Sequence, residues 1–219
     1  TLSVCADVPV KHKTSLTLFR DINRIGIENQ ILQNFSQILS YGWSFDLNIP
    51  DVRHEEAGAI LQVKPVSRGG QYSEVASRLD WLGLNHFASV SDNSGGMILS
   101  NRDAYYMKTG MSQVDSLDYT TPRISILAGG QIDADINLGI PAQDGDACFE
   151  HFFALRSFAG KTSNLQAMKF AMEHQNPPVA GKVSGTYGYP VKEFSLVNFS
   201  DPGVLLWAVK PAEEGIDAG

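Results

Sequence analysis

The strongest constraint on this chain is an alternation of apolar and polar residues that returns in segment after segment. In SLTLF (15–19), Leu16 and Leu18 alternate with Ser15 and Thr17. In WSFDLNIP (43–50), Phe45, Leu47 and Ile49 share one face while Ser44, Asp46 and Asn48 share the other. QIDADINLGIP (131–141) sets Ile132, Ala134, Ile136 and Leu138 against Asp133, Asp135 and Asn137, and EFSLVNF (193–199) places Phe194 and Leu196 together. Successive side chains of a strand point to opposite faces, so a period of two predicts half-buried antiparallel strands. Turn-forming clusters separate them: Arg68-Gly69-Gly70, Asn93-Ser94-Gly95-Gly96, Gly129-Gly130, Asp144-Gly145 and Asp201-Pro202-Gly203. The run GVLLWAV (203–209) reads as a buried strand, and KPAEEG (210–215) as the turn after it.

One segment breaks the pattern. In TSNLQAMKFAMEHQNPP (162–178), Leu165, Met168, Ala171 and Met172 recur at helical spacing. Thr162 or Ser163 can cap the start, and Pro177-Pro178 stop the helix. The expected fold is therefore all-β: one large antiparallel β-sandwich over residues 1–219, with a single short helix near 163–174. A chain of 219 residues, 43% of them hydrophobic, can bury such a core without disulfides or metal. Cys5 and Cys148 form no CxxC and are expected as separate buried thiols, which leans towards a reducing compartment, the cytoplasm. The net charge is -7, and the basic residues are scattered without a stripe. That argues against nucleic acid or an anionic membrane as partner. No apolar run approaches the roughly 20 residues that span a bilayer. The chain starts at Thr1 in what reads as a strand and stops beyond an open turn, so it is expected to be truncated at both ends, a fragment of a longer protein.

Residue types that carry chemistry are present, but none forms a self-contained site. Asp133-x-Asp135-x-Asn137 opens like a calcium loop, yet the sixth and twelfth positions hold Leu138 and Asp144 instead of Gly and Glu. A strand with its polar face in water accounts for the pattern. Arg53-His54-Glu55-Glu56 lacks the second histidine of HExxH and reads as a solvated loop between strands. Glu150 and His151 are neighbours on an expected strand, so they point to opposite faces. His12, His86 and His174 show no ligand spacing. Tyr41, Trp43, Tyr72, Trp81, Phe87, Tyr105, Tyr106, Tyr187 and Tyr189 lie in or beside turns and strands. Aromatic faces there can stack on sugar rings, and they equally fill a sandwich core.

Read in order, several stretches resemble the C-terminal β region of the α-mannosidases of glycoside hydrolase family 38, in their bacterial form. They are HEEAGAI (54–60), GGQY (69–72), RLDWLGLNHFASVSDNSGGMILSNRDAYYMKTG (78–110), FFALRSFAG (152–160), AMKFAMEHQNPPVAG (167–181) and FSLVNFSDPGVLLWAVKPAEEG (194–215). Each is a short strand-turn-strand or helix pattern, and the order together with the KPAEEG ending carries the likeness.

The resemblance implies a galactose mutarotase-like β-supersandwich that takes no catalytic part itself. It would complete the substrate cleft of a zinc-dependent retaining α-mannosidase and pack on its catalytic domain. Zinc and the nucleophilic aspartate of such an enzyme would belong to that other domain, so no catalytic residue, metal ligand or cofactor is assigned to this chain. The implied partners are the catalytic domain and an α-mannoside. His86, Asp92 and Asn101 match the family stretch at 78–110 and are the candidates for the wall of the cleft; hydrogen bonding within turns would explain them equally. Many members of the family place an arginine-rich, acid-containing loop near the position of Arg123 to Gly139, where this chain has Ala128-Gly129-Gly130, so either its subsites would differ or it would lack that contact. Two alternatives remain open at this point. One is a free-standing carbohydrate-binding sandwich. The other is a mutarotase-like epimerase or lyase, which needs a histidine and a carboxylate converging in a concave sheet.

Overall fold

The computed structural model describes residues 1–48, 50–75, 77–129, 141–182, 195, 197–207 and 209. It divides into two compact units, Thr1–Pro177 and Pro178–Gly219. The described residues of the first form twelve strands and one α-helix. In chain order the strands are β1 (Leu2–Ala6), β2 (His12–Leu18), β3 (Ile25–Ile31), β4 (Ser40–Ser44), β5 (Asp51–Glu56), β6 (Ala59–Gln62), β7 (Leu82–Gly83), β8 (Phe87–Ser91), β9 (Gly95–Asn101), β10 (Tyr106–Thr109), β11 (Arg123–Leu127) and β12 (Phe149–Ala159). The helix α1 spans Asn164–Gln175.

The strands form an eight-stranded sheet in the order β1-β2-β3-β12-β9-β8-β5-β6 and a four-stranded sheet in the order β4-β11-β10-β7. Every described strand pairing is antiparallel, which short turns allow. The expected all-β sandwich is thus what the chain forms. Register puts Ile27, Val52, Ala88, Val90, Leu99, Phe153 and Leu155 on the inner face of the large sheet. They meet Leu82, Met107, Ile124 and Ile126 of the small sheet in one buried cluster, with Tyr41 and Trp43 packed against it. Burying a side chain such as Phe153 stabilises the fold by about 1.5–3 kcal/mol. The same inner row continues through Leu2, Val4, Leu16 and Leu18, which are exposed.

The expected helix is present, and its start follows the sequence. Ser163 Oγ accepts the Gln166 N–H at 3.1 Å, and the Gln166 side chain accepts the Ser163 N–H, a reciprocal cap. The helix buries Ala167, Met168, Phe170, Ala171 and His174 and packs on the outer face of β8 and β9. Ser100 Oγ meets His174 Nδ1 at 2.8 Å, and the Arg156 guanidinium stacks 4.2 Å over the Phe170 ring.

Several expectations are corrected. Residues 51–56 are not a solvated loop but strand β5, inside the large sheet, with His54 and Glu55 fully buried. Strand pairing in the 43–50 segment ends at Ser44, although Phe45 and Leu47 still pack on the core. Both cysteines are exposed; Cys5 lies on β1, the edge strand of the large sheet. The anticipated strand over 131–141 and the Asp133, Asp135, Asn137 pattern fall almost wholly outside the described residues, as do Tyr187, Tyr189, Phe194, Leu196 and the 210–215 turn.

In the second unit, none of the described residues lies in a helix or strand. Residues 203–207 and 209 are therefore not the buried strand that their apolar run predicts; Val204, Leu206, Trp207 and Val209 are exposed. The run starts from an Asp201-centred turn, in which Asp201 Oδ1 accepts the Gly203 N–H at 2.7 Å. Without a paired strand among the described residues, it has no ladder to join. Among the described residues, no helix is long and apolar enough to cross a membrane.

Candidate functional site

Strand β5 carries charges on alternate residues. Asp51, Arg53 and Glu55 face outward, on the side where α1 packs, and Val52 and His54 face the core. Glu55 is fully buried nonetheless. Its Oε1 accepts the Gly58 N–H at 2.6 Å, and its Oε2 accepts the His86 backbone N–H at 3.1 Å and meets His86 Nδ1 at 2.5 Å. Asn101 lies next to this pair through its own N–H, which donates to the His86 carbonyl at 2.9 Å. The Asn101 amide donates to the carbonyls of Asn85 (3.0 Å) and Ala104 (2.6 Å), and its Oδ1 accepts the Ala104 N–H at 3.1 Å. Gln175 of α1 donates to the Asn101 carbonyl. These bonds close the loops that bracket β8 and β9.

Of the three residues predicted for the cleft wall, the structure brings His86 and Asn101 together and leaves Asp92 apart. His86 precedes β8 and Asp92 follows it, so a five-residue strand separates them, about 17 Å of rise. Asp92 organises the β8–β9 turn. Its Oδ1 accepts the Ser94 N–H (2.7 Å), the Ser94 hydroxyl (2.6 Å) and the Gly95 N–H (3.3 Å), and its Oδ2 accepts the Asn48 N–H at 2.9 Å. The Ser94 hydroxyl and these backbone donors hold its carboxyl down at about 2.

Asp92 also borders a cleft of about 940 Å³ on the outer face of the large sheet. Asp51, Arg53, Ser89 and Ser91 form its floor, the 92–94 turn and Asn48 one wall, and the first turn of α1 with Lys161 the other. Asp51 Oδ2 is bound by Arg53 through Nε (3.1 Å) and Nη2 (3.0 Å), while its Oδ1 accepts Gln62 Nε2 at 2.9 Å. Both aspartates are thus occupied by donors. Neither has a free oxygen to act as base or nucleophile.

Two further polar pairs lie on the inner face. His54 Nε2 bonds the Tyr72 hydroxyl, and burial lowers His54 to about 4 while pushing Tyr72 above its usual range. The Tyr41 hydroxyl meets His151 Nδ1 at 3.3 Å; burial lowers His151 and raises Tyr41. Both pairs sit in the core as neutral side chains. Glu150 faces the opposite way and receives Gln30 Nε2 at 2.9 Å, so it does not converge with His151. Of the suspected rim aromatics, Phe87 is fully buried, whereas Tyr105 is exposed. Sequence reasoning passed over Asp51, Arg53, Ser89 and Lys161 as cleft residues. The alternation within DVR and SVS was the one signal pointing to the floor.

No protein-family model matches the sequence, and no curated protein matches it. Among solved structures, the chain is similar to an alpha-mannosidase from Enterococcus faecalis V583, with a TM-score of 0.55 and 12% sequence identity. That likeness covers 76% of this chain and 18% of the other, so the chain spans a small part of that protein's length. At this identity the likeness is one of fold.

Proposed function

We propose that the chain is the non-catalytic β-sandwich region of a zinc-dependent retaining α-mannosidase of glycoside hydrolase family 38. Its role is to complete the substrate cleft and to support a catalytic domain contributed by the rest of a longer polypeptide. The observation that carries this reading is the fold shared with an alpha-mannosidase over 76% of the chain. The motif order adds support: the segments at 54–60, 78–110, 152–160 and 167–181 fall on the β5–β6 hairpin, the β7–β10 stretch, β12 and α1, while 69–72 and the described part of 194–215 lie in no helix or strand.

The chain's own groups fit a supporting role. Retaining hydrolysis needs one carboxylate as nucleophile and another as acid and base across the scissile bond. Glu55, Asp51 and Asp92 are each taken up by hydrogen bonds that fix turns and strands. Among the described residues no three His, Cys, Asp or Glu side chains stand close enough to share a metal ion. Zinc would belong to the catalytic domain. His86 and Asn101 act in it as positioning residues that hold the β8–β9 hairpin and its flanking loops. A mannoside and the catalytic domain are the proposed partners and the cytoplasm the proposed compartment. Neither nucleic acid nor membrane is assigned, given a net charge of -7 without a basic stripe.

The test is hydrolysis of an aryl α-mannoside, with added zinc or cobalt, by this chain and by the product of the complete gene. Turnover by the complete product alone is expected. Turnover by the isolated chain that chelation abolishes would overturn the non-catalytic reading, and an inactive complete product would overturn the mannosidase reading.

A further inference from the structure

The small sheet leaves part of the large one uncovered. Its edge strand β4 lies over β12: Phe35, Tyr41 and Trp43 meet Phe149, His151 and Phe153 in that order, with ring centroids 5.2, 5.4 and 5.1 Å apart. Beyond β12 the large sheet runs on through β3, β2 and β1. On the last two strands Leu2, Val4, Leu16 and Leu18 point to the side of the small sheet and are 64%, 57%, 38% and 74% exposed. A contiguous exposed apolar face of this kind marks an interaction surface. Two strand edges lie open beside it. Among the described residues β1 pairs only with β2, and β4 only with β11. Each edge is five residues long, LSVCA and SYGWS. Neither holds a charge or a proline, the residues that keep edges from pairing. The opposite edge of the small sheet, β7, is only two residues long. An open edge calls for backbone donors and acceptors, and the apolar face calls for apolar side chains at every second position. One strand can supply both, and β1 is such a strand.

We propose that a second copy of this chain fills the place, related by a two-fold axis parallel to the strands. Its β1 pairs with β4, its β1–β2 overhang lies face to face on Leu2, Val4, Leu16 and Leu18, and its β4 pairs in turn with β1. Strand direction fits. β12 is antiparallel to β3, β3 to β2 and β2 to β1, so β12 runs opposite to β1. The order of the three ring contacts sets β4 alongside β12, so β4 also runs opposite to β1. A two-fold axis parallel to the strands keeps their directions, which makes both new pairings antiparallel, like every described pairing in the chain. Alternation fits as well: Leu2 and Val4 of β1 point to the same interior layer as Tyr41 and Trp43 of β4. Because the two strands carry no charge, like surfaces meet without repulsion. The choice of a copy rests on reciprocity, since each chain offers the edge and the overhang that the other lacks. Two five-residue ladders and four apolar side chains from each copy place the interface at the low end of the standard range, about 600 Å² per partner. The inference goes beyond the supporting role proposed above and does not depend on it.

Sedimentation velocity of the 219-residue chain from about 1 to 500 µM tests it, and a reversible dimer with a micromolar Kd is expected. Val4→Lys and Leu18→Lys, both at exposed positions, should weaken the dimer at least about tenfold. The thermal midpoint of the dilute monomer should stay unchanged in both. A chemical cross-link reads the arrangement. Cys5 on β1 and Ser40 on β4 are exposed on the outer sides of their strands. With Cys148→Ser and Ser40→Cys, a short bismaleimide should join Cys5 of one copy to residue 40 of the other. With Cys148→Ser alone it should yield no joined dimer. A chain that stays monomeric at about 500 µM overturns the proposal and leaves the face to another occupant. A dimer that both lysine variants leave intact overturns it as well. A dimer joined through Cys5 alone does the same, because β1 would then lie against β1.

Discussion

His86 Nδ1 stands 2.5 Å from Glu55 Oε2, and the His86 backbone N–H reaches the same oxygen at 3.1 Å. Because the Gly58 N–H takes the other oxygen, one buried carboxylate ties the β5–β6 turn to the residue that leads into β8. Three donors converge on a side chain that is fully buried.

Removing that carboxylate should take the shared acceptor from all three donors. Glu55→Ala is expected to cost about 3–5 kcal/mol, and Glu55→Gln less, because an amide keeps one acceptor oxygen. Urea unfolding of the variants reads the difference. A loss below about 1 kcal/mol for Glu55→Ala would mean that the carboxylate does not fasten the β5–β6 turn to β8.

The β5–β6 turn allows a gain in the other direction. Ala57 has φ +49° and Gly58 φ +89°, two left-handed residues in a row, as a tight hairpin of this hand demands. An alanine pays for that conformation in steric crowding of its Cβ, so Ala57→Asn or Ala57→Gly should stabilise by about 0.5–1 kcal/mol. The opposite change at Gly110 is more severe. Its φ is +47°, and an added Cβ would lie 2.2 Å from Asp118 Oδ2. Thermal midpoints that rise for Ala57→Asn and fall for Gly110→Ala match the structure; the reverse order would contradict it.

The elements that sequence revealed are those with a strong local signal. In β2 the alternation of Ser15 and Thr17 with Leu16 and Leu18 marks the strand but not its buried side: Ser15 is buried, and Leu16 and Leu18 are exposed. At α1, Ser163 and Gln166 signal the cap from three residues apart, and the helix starts between them. Strand β5 was hidden because burial of its charges depends on partners distant in the chain: Glu55 needs His86, and His54 needs Tyr72. A polar string whose acceptors lie elsewhere looks like a loop until the sheet is assembled. The cleft was hidden for the same reason. Ser89 and Lys161 border one cleft only because α1 packs back across β8 and β9, and no local pattern records that return. Asp92 was legible as a turn residue, since Asp-Asn-Ser-Gly carries its own acceptor and donors.

Both thiols should react in the folded protein. Cys5 lies on an edge strand, Cys148 just before β12, and both are exposed. Titration with an aromatic disulfide reagent under native conditions is expected to count two thiols, and Cys5→Ser or Cys148→Ser one each. Thiols that appear only after urea is added would place the cysteines in the interior, as their apolar character alone suggests.

Mild acid should weaken the fold through its buried histidines. Burial lowers His54 to about 4, and burial with the nearby Arg24 and Arg102 charges lowers His174 to about 4; burial lowers His151 as well. In the unfolded chain each titrates near its ordinary value of 6.5. Between about pH 6.5 and 4 the unfolded state therefore binds more protons, and stability falls as pH falls. For His54 and His174 the loss approaches about 3 kcal/mol each at the lower end, and the contribution is fully present above about pH 7. The carboxylates held down in the fold act in another window. Asp92 lies at about 2, and in Asp118 donors from Met111, Thr121 and Thr120 outweigh the upward push of burial. Their contribution is lost only as pH drops below about 4, so the slope above it belongs to the histidines. Urea unfolding at about pH 7.5, 6 and 5 should show falling stability, and His174→Gln, which keeps a neutral partner for Ser100, should flatten the fall. A stability unchanged between pH 7.5 and 5 would mean that these imidazoles are reached by protons without unfolding.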